Sequence, residues 1–263
     1  MKHIWSVFTK PWRDLSPEEL GQLVSRLGFD GIEFPLRAGY QVEPKNAEKE
    51  LPRLAAALAR HHVVITSVAP DSPTEAMFAA CQAAGVKLLR IMMFADPTVG
   101  WMKSIDQKRR ELEKLIPLSE KYGVTVGVQN HYGFAVFNTM EMRYLLRDFD
   151  PRYVGAVWDA AHSALSGEIP EQALDIIWDK LCLINLKTAY PKRVNGPEAP
   201  EALFEPYFTT GRNGAVSWKD VAAAMTRRGY EGVICMPAEY TDGENVETYI
   251  TQDIAYAKSL FGE

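Results

Sequence analysis

The chain has 263 residues, of which 47% are hydrophobic and 24% are charged. This length suits one large α/β barrel of roughly 250 residues or two small domains. A formal net charge of -5 and the absence of a long Lys/Arg run exclude a nucleic-acid groove as the main surface. No segment approaches the roughly 20 apolar residues of a membrane helix, and residues 1–5 resemble a strand rather than a signal peptide. Three widely spaced cysteines are typical of a reducing compartment, so we expect a cytoplasmic protein without a membrane partner.

Short apolar runs alternate with helical patterns along the whole chain. The first helix shows the pattern most clearly, because Ser16, Pro17 and Glu19 form a capping-box start. Strands are predicted over 4–8, 31–36, 63–68, 87–94, 124–129, 153–158, 181–186 and 232–236. Helices are predicted over 15–27, 47–61, 72–84, 105–122, 139–149, 170–178, 218–228 and 245–261.

Strict alternation of strand and helix requires a mostly parallel sheet, because each crossover needs its own helix. A doubly wound open sheet is the alternative, and it usually carries a glycine-rich first turn. The first turn here, residues 8–12, contains no glycine. The sequence therefore predicts an α/β fold, a single-domain (β/α)₈ TIM barrel over residues 1–263.

Residues 190–217 contain four prolines and four aromatic residues but show no helix or strand period. A loop of this length in a compact domain is usually a functional lid or a disordered segment. Phe204, Tyr207 and Phe208 favour a segment that packs down, so we predict a lid loop.

Polar side chains lie at or just after the ends of the predicted strands, where the active groups of this fold lie, and Arg90 lies within the fourth strand. They are Glu33, Arg37, Arg90, Gln129, Asn130, His131, Asp159, His162, Asn185, Lys187 and Glu239. Burying so many polar groups without pairing each one would be costly. Their convergence predicts a site at one end of the barrel for a small polar ligand.

Several of these residues have two interpretations. Asp159 and His162 suit a joint metal site or a substrate hydroxyl, but Asp159 also suits the cap of a following helix, with His162 bonded to it. His131 suits acid–base catalysis, since imidazole titrates near neutral pH, or a bond to loop carbonyls. Lys187 suits stabilisation of an enolate or an ion pair with Asp159.

The remaining candidates are charged residues. Glu239 is a candidate general base if burial raises its pKa, and otherwise an exposed loop acid. Glu33 is a candidate catalytic or substrate-binding group, or the partner of Arg37 or another cation in a buried pair. Arg37 and Arg212, the latter on the predicted lid, are candidate substrate-binding residues.

The chain resembles the xylose isomerase-like TIM barrel superfamily, which contains sugar phosphate isomerases and epimerases. The motifs that carry the resemblance are GFDGIE at 28–33, VQNH at 128–131, WDAAH at 158–162, INLK at 184–187 and GYEG at 229–232. The resemblance spans essentially the whole chain, and the order and spacing of the motifs specify the superfamily rather than a substrate.

The resemblance implies a metal site formed by Glu, Asp, His and Glu from the last four strands, binding manganese or magnesium. The matching positions here are Gln129, Asp159, Asn185 and Pro237, with Glu239 two residues farther on. Hard cations prefer anionic oxygen ligands, so the substitutions weaken the site. A divalent cation on Asp159 and Gln129 is therefore expected to be weakly held or absent.

The resemblance favours an isomerase- or epimerase-like enzyme that removes a proton next to the carbonyl of a small sugar- or polyol-derived compound. Glu239 would be the base, and a cation or Lys187 would stabilise the enolate. A lyase or dehydratase acting on a keto sugar starts with the same step. A catalytically inactive sugar-binding barrel is the third alternative, and the sequence leaves open whether the chain forms a homo-oligomer.

Overall fold

Eight parallel strands close into a barrel in the computed structural model, which describes residues 3–263; Met1 and Lys2 lie outside the described residues. The barrel strands are β1 (Ile4–Phe8), β2 (Gly31–Phe34), β3 (Val64–Val68), β4 (Leu88–Met92), β5 (Thr125–Gln129), β6 (Val154–Asp159), β7 (Leu181–Asn185) and β10 (Val233–Pro237). Two further strands, β8 (Thr188–Arg193) and β9 (Phe204–Thr209), lie outside the barrel. β10 pairs with β7 and β1 to close the ring, whereas β8 and β9 form a separate antiparallel hairpin. The predicted (β/α)₈ barrel is confirmed.

Helices cover the outside of the barrel. They are α1 (Pro17–Arg26), α2 (Ala47–Ala59), α3 (Glu75–Ala83), α4 (Trp101–Glu113), α5 (Ile116–Tyr122), α6 (Thr139–Leu146), α7 (Ala160–Leu165), α8 (Pro170–Ile177), α9 (Trp218–Arg227) and α10 (Val246–Phe261). The capping box of Ser16 and Glu19 begins α1 as predicted. Within residues 3–263, no helix is both long and apolar enough to cross a bilayer.

The single helix predicted over 105–122 is wrong, because the structure divides it into α4 and α5. Pro117 explains the break. Proline has no N–H to donate, and its ring clashes with the carbonyl four residues earlier, which belongs to Glu113. The continuous helix therefore ends at Glu113, and a second one begins at Ile116.

The segment predicted to be an irregular loop over 190–217 instead contains most of the β8–β9 hairpin, so that expectation is wrong. Pro191 and Pro206 lie opposite each other in the hairpin. Proline has no N–H to donate to a neighbouring strand and is rare within strands, so the sequence does not indicate strands here. The main chain of Phe208 is bonded in both directions to Thr241, since its N–H donates to the Thr241 hydroxyl at 2.9 Å and its carbonyl accepts from the Thr241 N–H at 3.0 Å. A lid function for this segment stays a prediction.

A buried carboxyl group ties the end of the hairpin segment to α10. Asp253 accepts hydrogen bonds from the Gly211 N–H at 2.8 Å and from the Tyr240 hydroxyl at 2.9 Å, and its side chain is buried. Burial raises the pKa of this carboxyl group from 3.8 to about 6, against the opposing effect of the two donors.

A second buried carboxylate, besides Asp253, lies on a barrel strand. Glu33 on β2 and Arg90 on β4 form a bidentate pair, with Arg90 Nε 3.0 Å from Oε1 and a terminal nitrogen 2.7 Å from Oε2 of Glu33. The Ser67 hydroxyl donates to Oε1 at 3.0 Å. Glu33 is fully buried and Arg90 is 5% exposed, so each charge depends on the other for compensation.

We predict that Asp253→Asn removes a pH-dependent loss of stability. The pKa of Asp253 is higher in the folded chain, about 6, than the usual value of 3.8. Below about pH 4 the carboxyl group is protonated in both the folded and the unfolded chain, and its burial costs the wild type no stability. As the pH rises to about 6, the group ionises in the unfolded chain only, and the free energy of unfolding of the wild type falls. Asparagine can accept from the Gly211 N–H and donate its amide N–H to the Tyr240 hydroxyl oxygen, without the charge. The free energy of unfolding of the variant relative to the wild type should therefore rise by about 2–3 kcal/mol between pH 4 and pH 7, measured by urea denaturation.

Asp106→Asn, at an exposed position in the middle of α4, is the matched control for the loss of one negative charge. Its difference from the wild type should change little over the same pH range. A pH-independent difference for Asp253→Asn would contradict the assignment of a buried, uncompensated carboxylate.

We also predict strong coupling between Glu33 and Arg90. Arg90→Met leaves a buried carboxylate without its cation and should lower the free energy of unfolding by about 3–5 kcal/mol. The double variant with Glu33→Gln should lose less than the sum of the two single variants, since the uncompensated charge is gone. Lys121→Met breaks an ion pair with Glu75 in which both side chains are more than half exposed, and should cost under about 1 kcal/mol. Additive losses at Glu33 and Arg90 would refute the coupling.

Candidate active site

Two connected cavities open at the carboxyl ends of the barrel strands. A cleft of about 680 Å³ lies outside, and a pocket of about 70 Å³ is lined largely by residues at the strand ends. The strands are paired so that their last residues lie side by side, with Asp159 beside Asn185 and Gln129 beside Met92. The residues that line both cavities are Lys10, His131, His162, Lys187 and Glu239. The barrel thus brings together residues that are distant in sequence.

Asp159 lies at the end of β6 with both carboxylate oxygens engaged. Oδ1 accepts from the N–H groups of Ala161 at 3.0 Å and His162 at 3.2 Å, and so caps α7. Oδ2 accepts from Nε2 of Gln129 at 2.8 Å and lies 3.9 Å from Nζ of Lys187. Burial raises the pKa of Asp159, and the Lys187 ammonium opposes that rise. The predicted capping role of Asp159 is therefore confirmed, whereas the His162 ring lies 3.7 Å from Oδ2 and makes no hydrogen bond to it.

Glu239 lies between two ammonium groups. Its Oε1 is 2.7 Å from Nζ of Lys10, and its Oε2 is 3.2 Å from Nζ of Lys187. Burial alone would raise the pKa of Glu239, but Lys187 and Lys10 outweigh it and hold that pKa well below its usual range. The condition on which Glu239 is a candidate base, a raised pKa, is therefore not met, because Lys187 after β7 and Lys10 after β1 stabilise its ionised form.

Lys187 places a buried ammonium group in the site. Its side chain is only 6% exposed, and Nζ lies 4.3 Å from the centre of the Phe208 ring. Burial would lower the pKa of Lys187, but the Glu239 and Asp159 carboxylates raise it above its usual value. The ammonium form is therefore retained at neutral pH.

Two neutral imidazoles form one wall of the site. The rings of His131 and His162 lie 4.2 Å apart, and that of Tyr132 stacks on both. Burial lowers the pKa of His131, and burial together with Lys187 holds the pKa of His162 well below 6.5. Both rings are therefore uncharged at pH 7.

The tautomer of His131 is fixed by its neighbour. Nδ1 lies 2.8 Å from the carbonyl oxygen of Tyr132, which can only accept, so Nδ1 carries the proton. Nε2 is then left with its lone pair, which a general base requires. Neither ring nitrogen of His162 has a hydrogen-bond partner among the described residues, although the ring is 1% exposed.

Two buried amide oxygens line the small pocket. Gln129 donates from Nε2 to Asp159, which leaves its Oε1 free. Within residues 3–263, Oε1 of Gln129 and Oδ1 of Asn185 have no hydrogen-bond partner. Such groups are costly to bury unless a ligand or water donates to them. The pocket therefore suits a ligand with hydroxyl groups.

The donor set does not fit a divalent cation. The carboxylate oxygens of Asp159 and Glu239 already face N–H groups or ammonium groups, and the neighbouring donors Gln129 and Asn185 are neutral amides. Over residues 3–263, no cluster of three or more His, Cys, Asp or Glu side chains suits a metal ion. An ammonium group has no lone pair and repels a cation. The residues present therefore do not form a site for a divalent metal ion.

The structure separates the other predicted residues. Arg37 lines the small pocket, with Nε 3.0 Å from the carbonyl oxygen of Ala69. Glu33 lines neither cavity, but its partner Arg90 lines the small pocket, and the pair matches the buried-pair interpretation with a cation other than Arg37. The guanidinium of Arg212 lies 3.7 Å from the centre of the Tyr256 ring and outside both cavities.

Sequence reasoning missed Lys10 and assigned Phe208 only to packing of the predicted lid. Both residues line the wide cleft. Lys10 follows β1 by two residues, so applying the rule for strand ends to the first strand would have found it. Phe208 gave no comparable signal, because its position depends on the hairpin.

Comparison with known proteins supports the family assignment. The family model described as xylose isomerase-like TIM barrel matches residues 22–260. An inosose dehydratase of Bacillus velezensis is 22% identical over 90% of this chain and 89% of its own length. An inosose dehydratase of Lacticaseibacillus casei is 26% identical over 49% of this chain, and there the matched segment spans 45% of the relative, about half its length.

Solved structures show the same fold at low identity. The IOLI protein with a bound zinc atom is 16% identical, with a TM-score of 0.71 over 97% of this chain and 95% of that one. Two D-psicose 3-epimerase structures, 10% and 14% identical, also share the fold. The family model spans most of the described barrel, and this chain therefore belongs to the xylose isomerase-like TIM barrel family.

Proposed function

We propose that the chain is a dehydratase-type lyase that removes a proton next to the carbonyl of a small polyhydroxylated ketone and then expels a neighbouring hydroxyl group as water. The observation that carries the proposal is the neutral His131, whose Nδ1 is held by the Tyr132 carbonyl and whose Nε2 lone pair is free. A base of this kind in the same cleft as a buried ammonium suits proton abstraction next to a carbonyl.

Lys187 supplies the positive charge for the first step. Removing the proton places negative charge on the carbonyl oxygen, and an ammonium group in a water-poor site stabilises that enolate. Glu239 and Asp159 keep Lys187 charged and hold its Nζ at the junction of the two cavities. Glu239 itself is a poor base because the two ammonium groups stabilise its ionised form.

A reaction with one base fits this site better than one with two. His131 and His162 lie on the same wall with rings 4.2 Å apart, and Glu239 is weakly basic. Epimerisation by two bases needs proton acceptors on opposite faces of the carbon. In an elimination, the proton moves from carbon to Nε2 of His131, the adjacent C–O bond breaks, and the imidazolium returns the proton to the leaving hydroxide. Water leaves and the base is regenerated.

The substrate class follows from the unpartnered acceptors. Oε1 of Gln129 and Oδ1 of Asn185 need donors, which hydroxyl groups of a polyol can supply. The names of the Bacillus velezensis and Lacticaseibacillus casei relatives favour the same class of reaction. An isomerase or epimerase shares the first step, and a sugar-binding barrel shares the pocket.

We predict that His131→Asn lowers kcat by about 10²–10⁴-fold, because it removes the base but can keep a donor to the Tyr132 carbonyl. The measurement uses inososes and keto sugars in D₂O, with loss of water followed by absorbance of the unsaturated product and by mass. His62→Asn is the matched control, since His62 has a φ of 60° that asparagine tolerates and lies outside both cavities.

The products distinguish the alternatives. Deuterium uptake into the substrate without loss of water would support an isomerase or epimerase instead. Stabilisation by the ligand without uptake or water loss would support a binding protein. Unchanged turnover in His131→Asn would refute the assignment of the base.

A further inference from the structure

We infer that the ammonium group of Lys187 is the resident cation of this barrel, in the place that a divalent metal ion would take between the carboxylates of its strands. Nζ of Lys187 lies 3.9 Å from Oδ2 of Asp159, at the end of β6, and 3.2 Å from Oε2 of Glu239, just after β10. One cation from β7 thus bridges acids that follow two other strands. The inference concerns charge and metal affinity and does not depend on the reaction proposed above.

The position of Lys187 in the chain allows this arrangement. It comes two residues after Asn185, the last residue of β7, and both side chains line the small pocket. Successive side chains of a strand alternate in direction, so residues two apart share a side. A long side chain starting just above the ring can therefore return its charged end to the centre of the site.

The charges at this point already balance. The two carboxylates of Asp159 and Glu239 face the two ammonium groups of Lys187 and Lys10. A divalent ion would add two positive charges to a neutral group of four, next to a fixed ammonium. Repulsion between like charges is strong where burial excludes water, and Lys187 is 6% exposed.

The neighbouring substitutions agree with this exchange of one cation for another. Gln129 uses its amide N–H to bond Asp159, which a glutamate could not do. Asn185 and Gln129 present neutral oxygens, which are weaker ligands for a hard cation than carboxylates. Both oxygens of Asp159 accept hydrogen bonds, one from Gln129 and the other from the first turn of α7, so the presence of an aspartate here needs no metal.

Removing the ammonium should therefore create metal affinity. In Lys187→Met, Oδ2 of Asp159 and Oε2 of Glu239 lose their shared cation, and the methionine chain preserves much of the packing under Phe208. We expect this variant to bind one Mn²⁺ per chain at least about 10-fold more tightly than the wild type, because the ammonium between the two carboxylates is gone and a metal cation can take its place. Titration calorimetry and the electron paramagnetic resonance signal of free Mn²⁺ measure the binding directly.

Lys10→Met is the matched control. It also removes one ammonium from Glu239, but it leaves Lys187 between the two acids, so its Mn²⁺ affinity should stay within about twofold of the wild type. Equal gains in both variants would mean that net charge alone controls the affinity and would overturn the inference.

The wild type gives a test that does not depend on either variant folding. The purified protein should carry no stoichiometric Mn, Mg or Zn, and EDTA should leave its melting temperature unchanged. One tightly held ion per wild-type chain, or a folded Lys187→Met protein with no gain in Mn²⁺ affinity, would overturn the inference. These outcomes concern binding, so they remain separate from success or failure of the dehydration assay.

Discussion

The structure depends on compensation of the carboxylates that the barrel gathers at the carboxyl ends of its strands. Closing eight parallel strands into a ring gathers acids that lie at or near the ends of different strands at one end of the barrel. Among the described residues, each such acid faces a cation from elsewhere in the chain. The pairs are Glu33 with Arg90, Asp159 with Lys187, and Glu239 with Lys187 and Lys10. Without these cations, the buried charges would oppose closure of the barrel.

The same compensation sets the protonation states of the site. Lys187 stays charged because Glu239 and Asp159 surround it, and its charge helps to keep the nearby His162 neutral. Glu239 stays ionised for the reciprocal reason and loses basicity. His131 is neutral because it is buried, with its proton on Nδ1. The protonation state of each group is thus set by its neighbours in the network rather than by that residue alone.

Much of the fold could be predicted from sequence, because the signals for strands and helix ends are local. The barrel strands lie within two residues of their predicted bounds, and the capping box at Ser16 begins α1 as expected. The β8–β9 hairpin could not be predicted, since Pro191 and Pro206 remove the usual strand signal. The low pKa of Glu239 could not be predicted from sequence either, because the two lysines that lower it lie 229 and 52 residues away in the chain.

The β8–β9 hairpin contributes to the burial of Lys187, the cation at the centre of the charge network. Phe208 on β9 lies over the ammonium of Lys187, and its main chain is bonded in both directions to Thr241, two residues after Glu239. The Phe208 ring therefore shields Lys187, and the bonds to Thr241 join this part of the hairpin to the loop after β10. Excluding water there strengthens every charge interaction beneath it. Because Phe208 also lines the cleft, the surface that shields Lys187 is the surface that a ligand would contact.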